Sequence, residues 1–312
     1  MHLSATIRGL ACAFLGGFCW GFSGACGQFL FTRYGLDPLW LSAVRMVCAG
    51  LLLLGVCCVV PRWIASARAI FTNRRDVVHL IIFALAGLST CQVSYLMAIN
   101  YSNAGTATVL QYIGPVLIVV FVCLKKLCLP KIREVIALIC VLLGTFLIAT
   151  HGNIDTMVLS KEGLFWGLMA ALAVSLYTLL PMGLMDKYGS MPVTAVALLI
   201  GGVGLSIFVH PWTYDISLDV AGYVGVATMI IVGTAIGFAL YLQGVTDIGA
   251  AKGSLVASVE TVSATVFAVV WLGTAFSWID FVGFFFIMVT VLLLMERPKK
   301  QALPQEASPD IS

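Results

Sequence analysis

Ten stretches of mostly apolar residues, each about 20 residues long, follow one another through almost the whole chain and are separated by short links. A run of this length can cross the hydrocarbon core of a bilayer as a helix, which satisfies its own backbone hydrogen bonds. A membrane β-barrel would show short alternating segments instead. The sequence therefore predicts an all-α integral membrane protein with ten transmembrane helices, near 9–31, 38–60, 77–98, 104–124, 132–150, 162–181, 193–210, 219–243, 252–272 and 278–295.

Composition excludes the soluble classes. Of the 312 residues, 61% are hydrophobic and 10% are charged, whereas a soluble domain has about 25% charged residues. The net charge of +3 does not indicate a nucleic-acid partner, because the basic residues lie in the links between spans. No serine–histidine–aspartate set, phosphate-binding glycine loop or metal-ligand spacing is recognisable, so the sequence predicts neither an enzyme nor a cofactor or metal. The ten cysteines are scattered and are interpreted as small apolar residues.

Lysine and arginine are unevenly distributed between the two sets of links. If the N-terminus is cytoplasmic, fourteen of the seventeen basic residues lie in cytoplasmic links or in the tail. The positive-inside rule then places both termini in the cytoplasm. The first apolar run is too long for a signal-peptide core and is expected to be retained. The polar segment 297–312, which contains prolines, is expected to be a disordered cytoplasmic tail.

The chain contains an internal repeat. The segment RYGLDP at 33–38 matches KYGSMP at 187–192, and each lies between the first two spans of its half. The segment YLMAINYSNAGTATVLQYIGPV, which starts at Tyr95, aligns with YLQGVTDIGAAKGSLVASVETV, which starts at Tyr241. Both aligned segments consist of the end of one span, a short link and the next span. The pattern predicts a duplicated unit of five spans.

The two halves are predicted to be 1–150 and 151–296. Because five is odd, the halves must insert in opposite orientations. Inverted repeats are typical of secondary transporters, with a substrate site near the midplane and alternating access by rocking of one repeat against the other. The alternative is that duplication only produced a helical bundle without a transport function.

One predicted span, within 250–273, contains the acid Glu260. A carboxyl group inside a membrane span is costly and is a functional candidate by default. Glu260 is interpreted as a proton acceptor, and so a candidate for proton coupling, or as a ligand for a substrate ammonium. The alternative is a structural hydrogen bond between helices. In the repeat Glu260 aligns with Gly114, and the adjacent Pro115 is predicted to break the equivalent helix.

Arg45 is a basic residue inside the second predicted span. It is interpreted as a site for a substrate carboxylate or as the partner of an acid. The alternative is that its side chain snorkels to the outer interface. At 1.5 Å rise per residue, Arg45 and Glu260 are each about 10 Å from opposite faces. They are therefore expected to be too far apart in depth to pair, unless the helices tilt.

Aromatic and amide side chains in the remaining spans predict a cavity for an amphipathic organic solute. Tyr241 and Gln243 lie near a span end and are interpreted as interfacial. The other candidates lie within spans, and each has packing or an interfacial position as its alternative role. The predicted substrate-binding residues are Trp20, Arg45, Gln92, Tyr95, Gln111, Tyr112, Tyr177 and Glu260.

This layout resembles the EamA-type ten-helix exporters of the drug/metabolite transporter superfamily. The features that carry the resemblance are the duplication of five spans, the Trp20-Gly21 pair, Arg45 after Pro38, and Gly114-Pro115. The resemblance covers residues 8–295. It implies a bacterial inner-membrane carrier, monomeric or homodimeric, that moves small polar metabolites, commonly amino acids, outward.

Three other functions stay open from the sequence. A multidrug efflux carrier of the same fold would differ in having a larger and more apolar cavity. A polytopic membrane enzyme acting on a lipid or isoprenoid would need an acid or histidine cluster at an interface. An assembly or sensor protein would not need Glu260 or Arg45 inside the bilayer.

Overall fold

The computed structural model describes residues 2–114, 117, 132–150, 159–249, 253, 256–257 and 259–294. All regular structure within these residues is helical. The 3-10 turn Pro211–Thr213 stands apart from the longer helices, which in chain order are α1 (His2–Tyr34), α2 (Pro38–Val59), α3 (Pro61–Ile70), α4 (Arg74–Tyr101), α5 (Ala104–Gln111), α6 (Ile132–Thr150), α7 (Lys161–Tyr188, with a turn at 180–181), α8 (Ser190–Val209), α9 (Val220–Ile248), α10 (Val259–Val270) and α11 (Trp278–Leu294).

Six of the described helices are long and apolar enough to cross a membrane, namely α1, α2, α4, α7, α8 and α9. Shorter apolar helices occur within α6, α10 and α11. The predicted all-helical membrane fold is confirmed at this level. Much of the span predicted at 104–124, including Pro115, and the whole of the tail 297–312 lie outside the described residues.

The sequence analysis did not predict α3. Pro61 occupies its first turn, where the missing amide hydrogen has no cost, and Asn73 then caps the start of α4. The helix is amphipathic rather than continuously apolar, so a search for membrane spans does not detect it. Its residues Ala67 and Ile70 are buried in the core beside α2 and α8.

Two membrane helices contain π-helical segments that the sequence analysis also missed, Phe83–Ser89 in α4 and Met229–Ile236 in α9. In each segment a hydroxyl bonds the carbonyl five residues earlier: Ser89 to Ala84 and Thr234 to Met229, both at 2.9 Å. Such segments often occur at functional sites. Both of these lie one turn or less from side chains that line the cavity described below.

The helices pack in a set of close pairs: α1 with α9 and α10, α2 with α8, α4 with α7, α5 with α7 and α10, and α6 with α11. Small residues permit these contacts, as is usual for membrane helices. A Cβ atom at Gly50 would lie 2.6 Å from the Leu199 amide nitrogen, and one at Gly202 would lie 2.6 Å from that of Val47. The backbones of α2 and α8 therefore touch.

Gly21 offers a test of this packing. A Cβ atom at Gly21 would lie 2.6 Å from the Glu260 carbonyl oxygen and 2.7 Å from the Ala264 nitrogen, both backbone atoms that cannot easily shift. We expect Gly21→Ala to destabilise the protein by about 1–3 kcal/mol, the usual cost of overpacking. Gly55→Ala is the control, because a Cβ there meets nothing within 4 Å. Thermal unfolding in detergent measures both, and equal midpoints for the two variants would contradict the close α1–α10 contact.

Candidate substrate cavity

Seven helices converge on one cavity of about 30 Å³. In this conformation the cavity therefore has room for very few waters. Seven of the eight predicted substrate-binding residues line it, so helices far apart in sequence bring them together. The lining residues are Trp20, Ser23, Arg45, Cys91, Gln92, Tyr95, Gln111, Tyr177, Phe238 and Glu260.

Arg45 projects from α2 into this cavity and is 3% exposed. One terminal nitrogen donates to the Gln92 side-chain oxygen on α4. Its Nε and the other terminal nitrogen have no partner among the described residues. The interpretation that Arg45 snorkels to the interface is therefore wrong, and the guanidinium presents unused donors to the cavity.

Glu260 enters the same cavity from α10 and is 4% exposed. The Tyr112 hydroxyl donates to the Ala257 carbonyl at 2.8 Å and more weakly to Glu260 Oε2 at 3.5 Å. Tyr112 itself is not among the cavity-lining residues and instead contacts the acid from one side. Within the described part of the chain Arg45 and Glu260 form no ion pair. This agrees with the expectation that the two groups do not pair directly, although both side chains line one cavity.

Buried polar atoms without a partner concentrate at this cavity. Among the described residues they are Trp20 Nε1, Arg45 Nε and its terminal nitrogen, Gln92 Nε2, Gln111 Oε1 and Thr261 Oγ1. All but the last belong to residues that line the cavity. A buried polar group left unpaired costs about 1–3 kcal/mol, so such groups usually have a partner in the functioning protein. Water or a polar ligand in the cavity would supply these partners.

Aromatic rings form one wall of the cavity. The Trp20 ring lies 5.0 Å from that of Phe238 and 4.7 Å from that of Tyr241. The Tyr177 ring lies 6.1 Å from that of Phe238. Tyr241 is 3% exposed, so its predicted interfacial position is wrong. Apolar walls combined with a few converging polar groups are typical of sites for small organic molecules.

The sequence analysis missed three lining residues. Ser23 lies three residues after Trp20, and Cys91 lies four residues before Tyr95, so helical spacing alone was enough to find both. Phe238 carries no comparable signal. Of the other predicted site residues, Pro115 lies outside the described part of the chain. Within that part, no cluster of histidine, cysteine and acidic side chains has the makings of a metal site.

Comparison with known proteins agrees with this architecture. The family model described as the EamA-like transporter family matches residues 7–150 and again residues 161–296. The uncharacterized inner membrane transporter YicL of Salmonella typhimurium is 31% identical over 300 residues, which cover 96% of this chain and 99% of YicL. A crystal structure of a protein that is 16% identical gives a TM-score of 0.62 over 93% of this chain and 96% of the other. At that identity the likeness shows the fold alone.

Proposed function

Because the chain belongs to the EamA-like transporter family, we propose that it is a secondary carrier that exports small amphipathic metabolites, amino acids or related zwitterions, across the bacterial inner membrane. Its family and its relative are transporters rather than enzymes. The observation that carries the finer proposal is the cavity itself. Unpaired guanidinium donors, a carboxyl group and an aromatic wall surround one small space, which suits a solute with a carboxylate, an ammonium and an apolar part.

Alternating access between two inverted halves of five spans, 1–150 and 151–296, is the proposed mechanism. In the repeat, α1 corresponds to α7, α4 to α9 and α5 to α10. The α1–α9 contact therefore corresponds to the α7–α4 contact, and the α1–α10 contact corresponds to the α7–α5 contact. All four contacts are present. The π-helical segments begin at Phe83 and Met229, which the sequence repeat places in register. These correspondences support a twofold relation between the halves.

Both termini are proposed to face the cytoplasm, with the tail 297–312 on that side. The support is the basic residues of the links, which concentrate on one side of the membrane when the N-terminus is inside. We expect a C-terminal green fluorescent protein fusion to fluoresce and a C-terminal alkaline phosphatase fusion to be inactive. An active phosphatase fusion would reverse the orientation and, with it, the direction of transport.

The competing proposal is a multidrug efflux carrier of the same fold. Such a carrier needs a larger and more apolar cavity than the one that Arg45 and Glu260 line. The small space and the two ionisable groups in this conformation therefore favour a small polar solute.

Purified protein in liposomes tests the function. Labelled amino acids, purines and drug-like cations would each be offered with and without a pH gradient, and empty liposomes would give the background. We expect accumulation of one or more amino acids. Transport only of apolar cations would favour the efflux alternative, and no movement of any solute under either condition would contradict the carrier proposal.

A further inference from the structure

We propose that the units that move during transport are not the two sequence halves but two antiparallel helix pairs, α1–α9 and α4–α7, each of which takes one helix from each half. This inference rests on the proposed alternating access and specifies which bodies move. The α1–α9 pair supplies Trp20, Ser23 and Phe238 to the cavity. The α4–α7 pair supplies Cys91, Gln92, Tyr95 and Tyr177.

The α1–α9 pair is in close contact from end to end. Four positions of α1, spaced seven apart, face α9 in turn. Each of the four facing pairs contains a glycine, so the backbones approach closely. A Cβ at Gly16 would lie 2.9 Å from the Tyr241 nitrogen. The facing positions are Gly9 with Asp247, Gly16 with Tyr241, Ser23 with Gly233, and Leu30 with Gly225.

Polar contacts, which we call pins, hold the two helices together at both ends of this pair. At one end Arg8 donates to both oxygens of Asp247, at 2.8 and 2.7 Å. At the other end the Tyr34 hydroxyl donates to Asp219, and Arg33 lies 4.0 Å from the same carboxylate. The Tyr34 hydroxyl and the Gly222 amide hold the pKa of Asp219 below its ordinary value. This pin is therefore lost only as the pH falls through that lowered pKa.

The α4–α7 pair has the matching pins. Lys187 and the Tyr188 hydroxyl each lie 2.6 Å from Asp76, in the first turn of α4. At the other end the Ser160 hydroxyl donates to the Tyr101 carbonyl at 3.2 Å. Along the chain, the long helix α2 lies between Tyr34 and Asp76. The two aspartate pins therefore lie at opposite ends of the helix bundle.

The pins explain the repeated motif RYG and KYG. In each copy a basic residue and a tyrosine at the end of one helix hold an aspartate at the start of its partner helix. Exposed ion pairs are individually weak, so the glycine contacts account for most of the cohesion within a pair. Opening a pair would break both kinds of contact, whereas sliding one pair past the other breaks neither.

One polar side chain joins the α1–α9 pair to elements that belong to neither pair. Gln28 on α1 accepts a hydrogen bond from the Ala104 amide of α5 and donates to Thr274, both at 2.8 Å. Helix α5 packs on α7 in turn. Gln28 therefore joins the α1–α9 pair to elements outside it near the end at which Tyr34 lies. We expect the hydrogen bonds of Gln28 to break during transport and the pins to remain formed.

Reactivity of Cys91 tests the inference without knowledge of the substrate. Cys91 is 5% exposed and lines the cavity, so a charged methanethiosulfonate reagent can modify it only when the cavity opens. The background replaces the nine other native cysteines with alanine. Gly9→Cys with Asp247→Cys then replaces a pin with a disulfide. A Cβ at Gly9 would lie 2.7 Å from that of Asp247, about 1 Å closer than the two Cβ atoms of a disulfide, so the helix ends must part by about that distance to form the bond. The reduced form of the same variant controls for the loss of the Arg8 contact.

We expect the disulfide to leave the rate of Cys91 modification within about twofold of the reduced form, and Gln28→Ala to raise it about tenfold, as loss of two hydrogen bonds allows. A disulfide that slows modification about tenfold or more would mean that the pair must separate, and it would overturn the inference. So would a Gln28→Ala rate equal to that of the background.

A second variant covers failure of the first to fold. Arg33→Cys with Asp219→Cys, joined by a short bifunctional thiol reagent, pins the other end of the same pair and carries the same two expectations. If Cys91 is modified in no variant from either side, the cavity does not open and the proposed alternating access fails. If Cys91 is modified in the unlinked variants and only a link within the pair blocks this modification, the proposed alternating access stands. Only the inference that the pairs move as units would then be contradicted.

Discussion

Replacing Arg45 with methionine will lower the transport of a carboxylate-bearing solute by about tenfold to a hundredfold, because a hydrogen bond to a charged group contributes about 1.5–3 kcal/mol. Two of the guanidinium nitrogens have no partner in the described residues and line the cavity. Methionine keeps much of the length and the apolar part of the side chain but has neither a charge nor a hydrogen-bond donor for the substrate. Initial uptake rates in liposomes measure the loss.

Stability should move in the opposite direction from transport. A buried, incompletely paired arginine costs desolvation energy, and an apolar replacement of similar size is often neutral or stabilising. We therefore expect Arg45→Met to unfold at the same temperature as the wild type or a higher one. Arg45→Lys retains the charge but not the fork that reaches Gln92, so transport should fall less. A lower unfolding temperature with unchanged transport would make Arg45 a structural residue.

Arg33→Met is the matched control. Arg33 has the same side chain, but it is 62% exposed at a helix end. Its guanidinium lies 4.0 Å from Asp219 and 5.9 and 5.8 Å from the centres of the Phe29 and Tyr34 rings. Transport by this variant should stay near the wild-type rate. A loss equal to that of Arg45→Met would show that total positive charge, rather than the position of Arg45, governs transport.

The apolar pattern predicted the helices well because length and hydropathy alone decide which segments can enter a bilayer. It failed where another force sets the structure. Helix α3 depends on an amphipathic face, and the π-helical segments depend on one additional residue per turn, which leaves no trace in hydropathy. The backbone carbonyl of Gln111 has no amide donor four residues later, because residue 115 is proline. The chain forms a turn at 112–113. The break predicted at Pro115 itself lies outside the described residues.

Seven residues of the candidate cavity were predicted from the sequence, but the contacts between their side chains were not. Polar side chains inside spans are rare, so each one was conspicuous. Depth counted along straight helices predicted no direct pairing of Arg45 with Glu260, and none is found, but only helix packing shows that both reach one cavity. Tyr241 was misplaced for the same reason, since its neighbours Trp20 and Tyr177 come from other helices. The repeat found RYG and KYG, but their aspartate partners are more than a hundred residues away and only the fold reveals them.

Replacing Glu260 with glutamine is the change expected to remove the pH response of transport. Glutamine keeps the size of the side chain and an oxygen that can accept from Tyr112, but it cannot gain or lose a proton. It also cannot attract a substrate ammonium as a charge. We expect accumulation under a pH gradient to fall about tenfold or more, as loss of a charged hydrogen bond implies, and the remaining transport to vary little with pH.

Three companion variants separate the roles of this acid. Tyr112→Phe removes the hydroxyl that lies 3.5 Å from Glu260 and leaves the carboxyl, so it should shift the pH profile without flattening it. Glu162→Gln removes an exposed carboxyl from the first turn of α7 and should leave transport unchanged. In Glu260→Gln itself, lost accumulation with intact counterflow at equal pH would assign the proton to Glu260, whereas loss of both would assign the substrate ammonium. If Glu260→Gln transports like the wild type at every pH, Glu260 neither carries a proton nor binds the substrate. Its role would then be structural, through its contact with Tyr112.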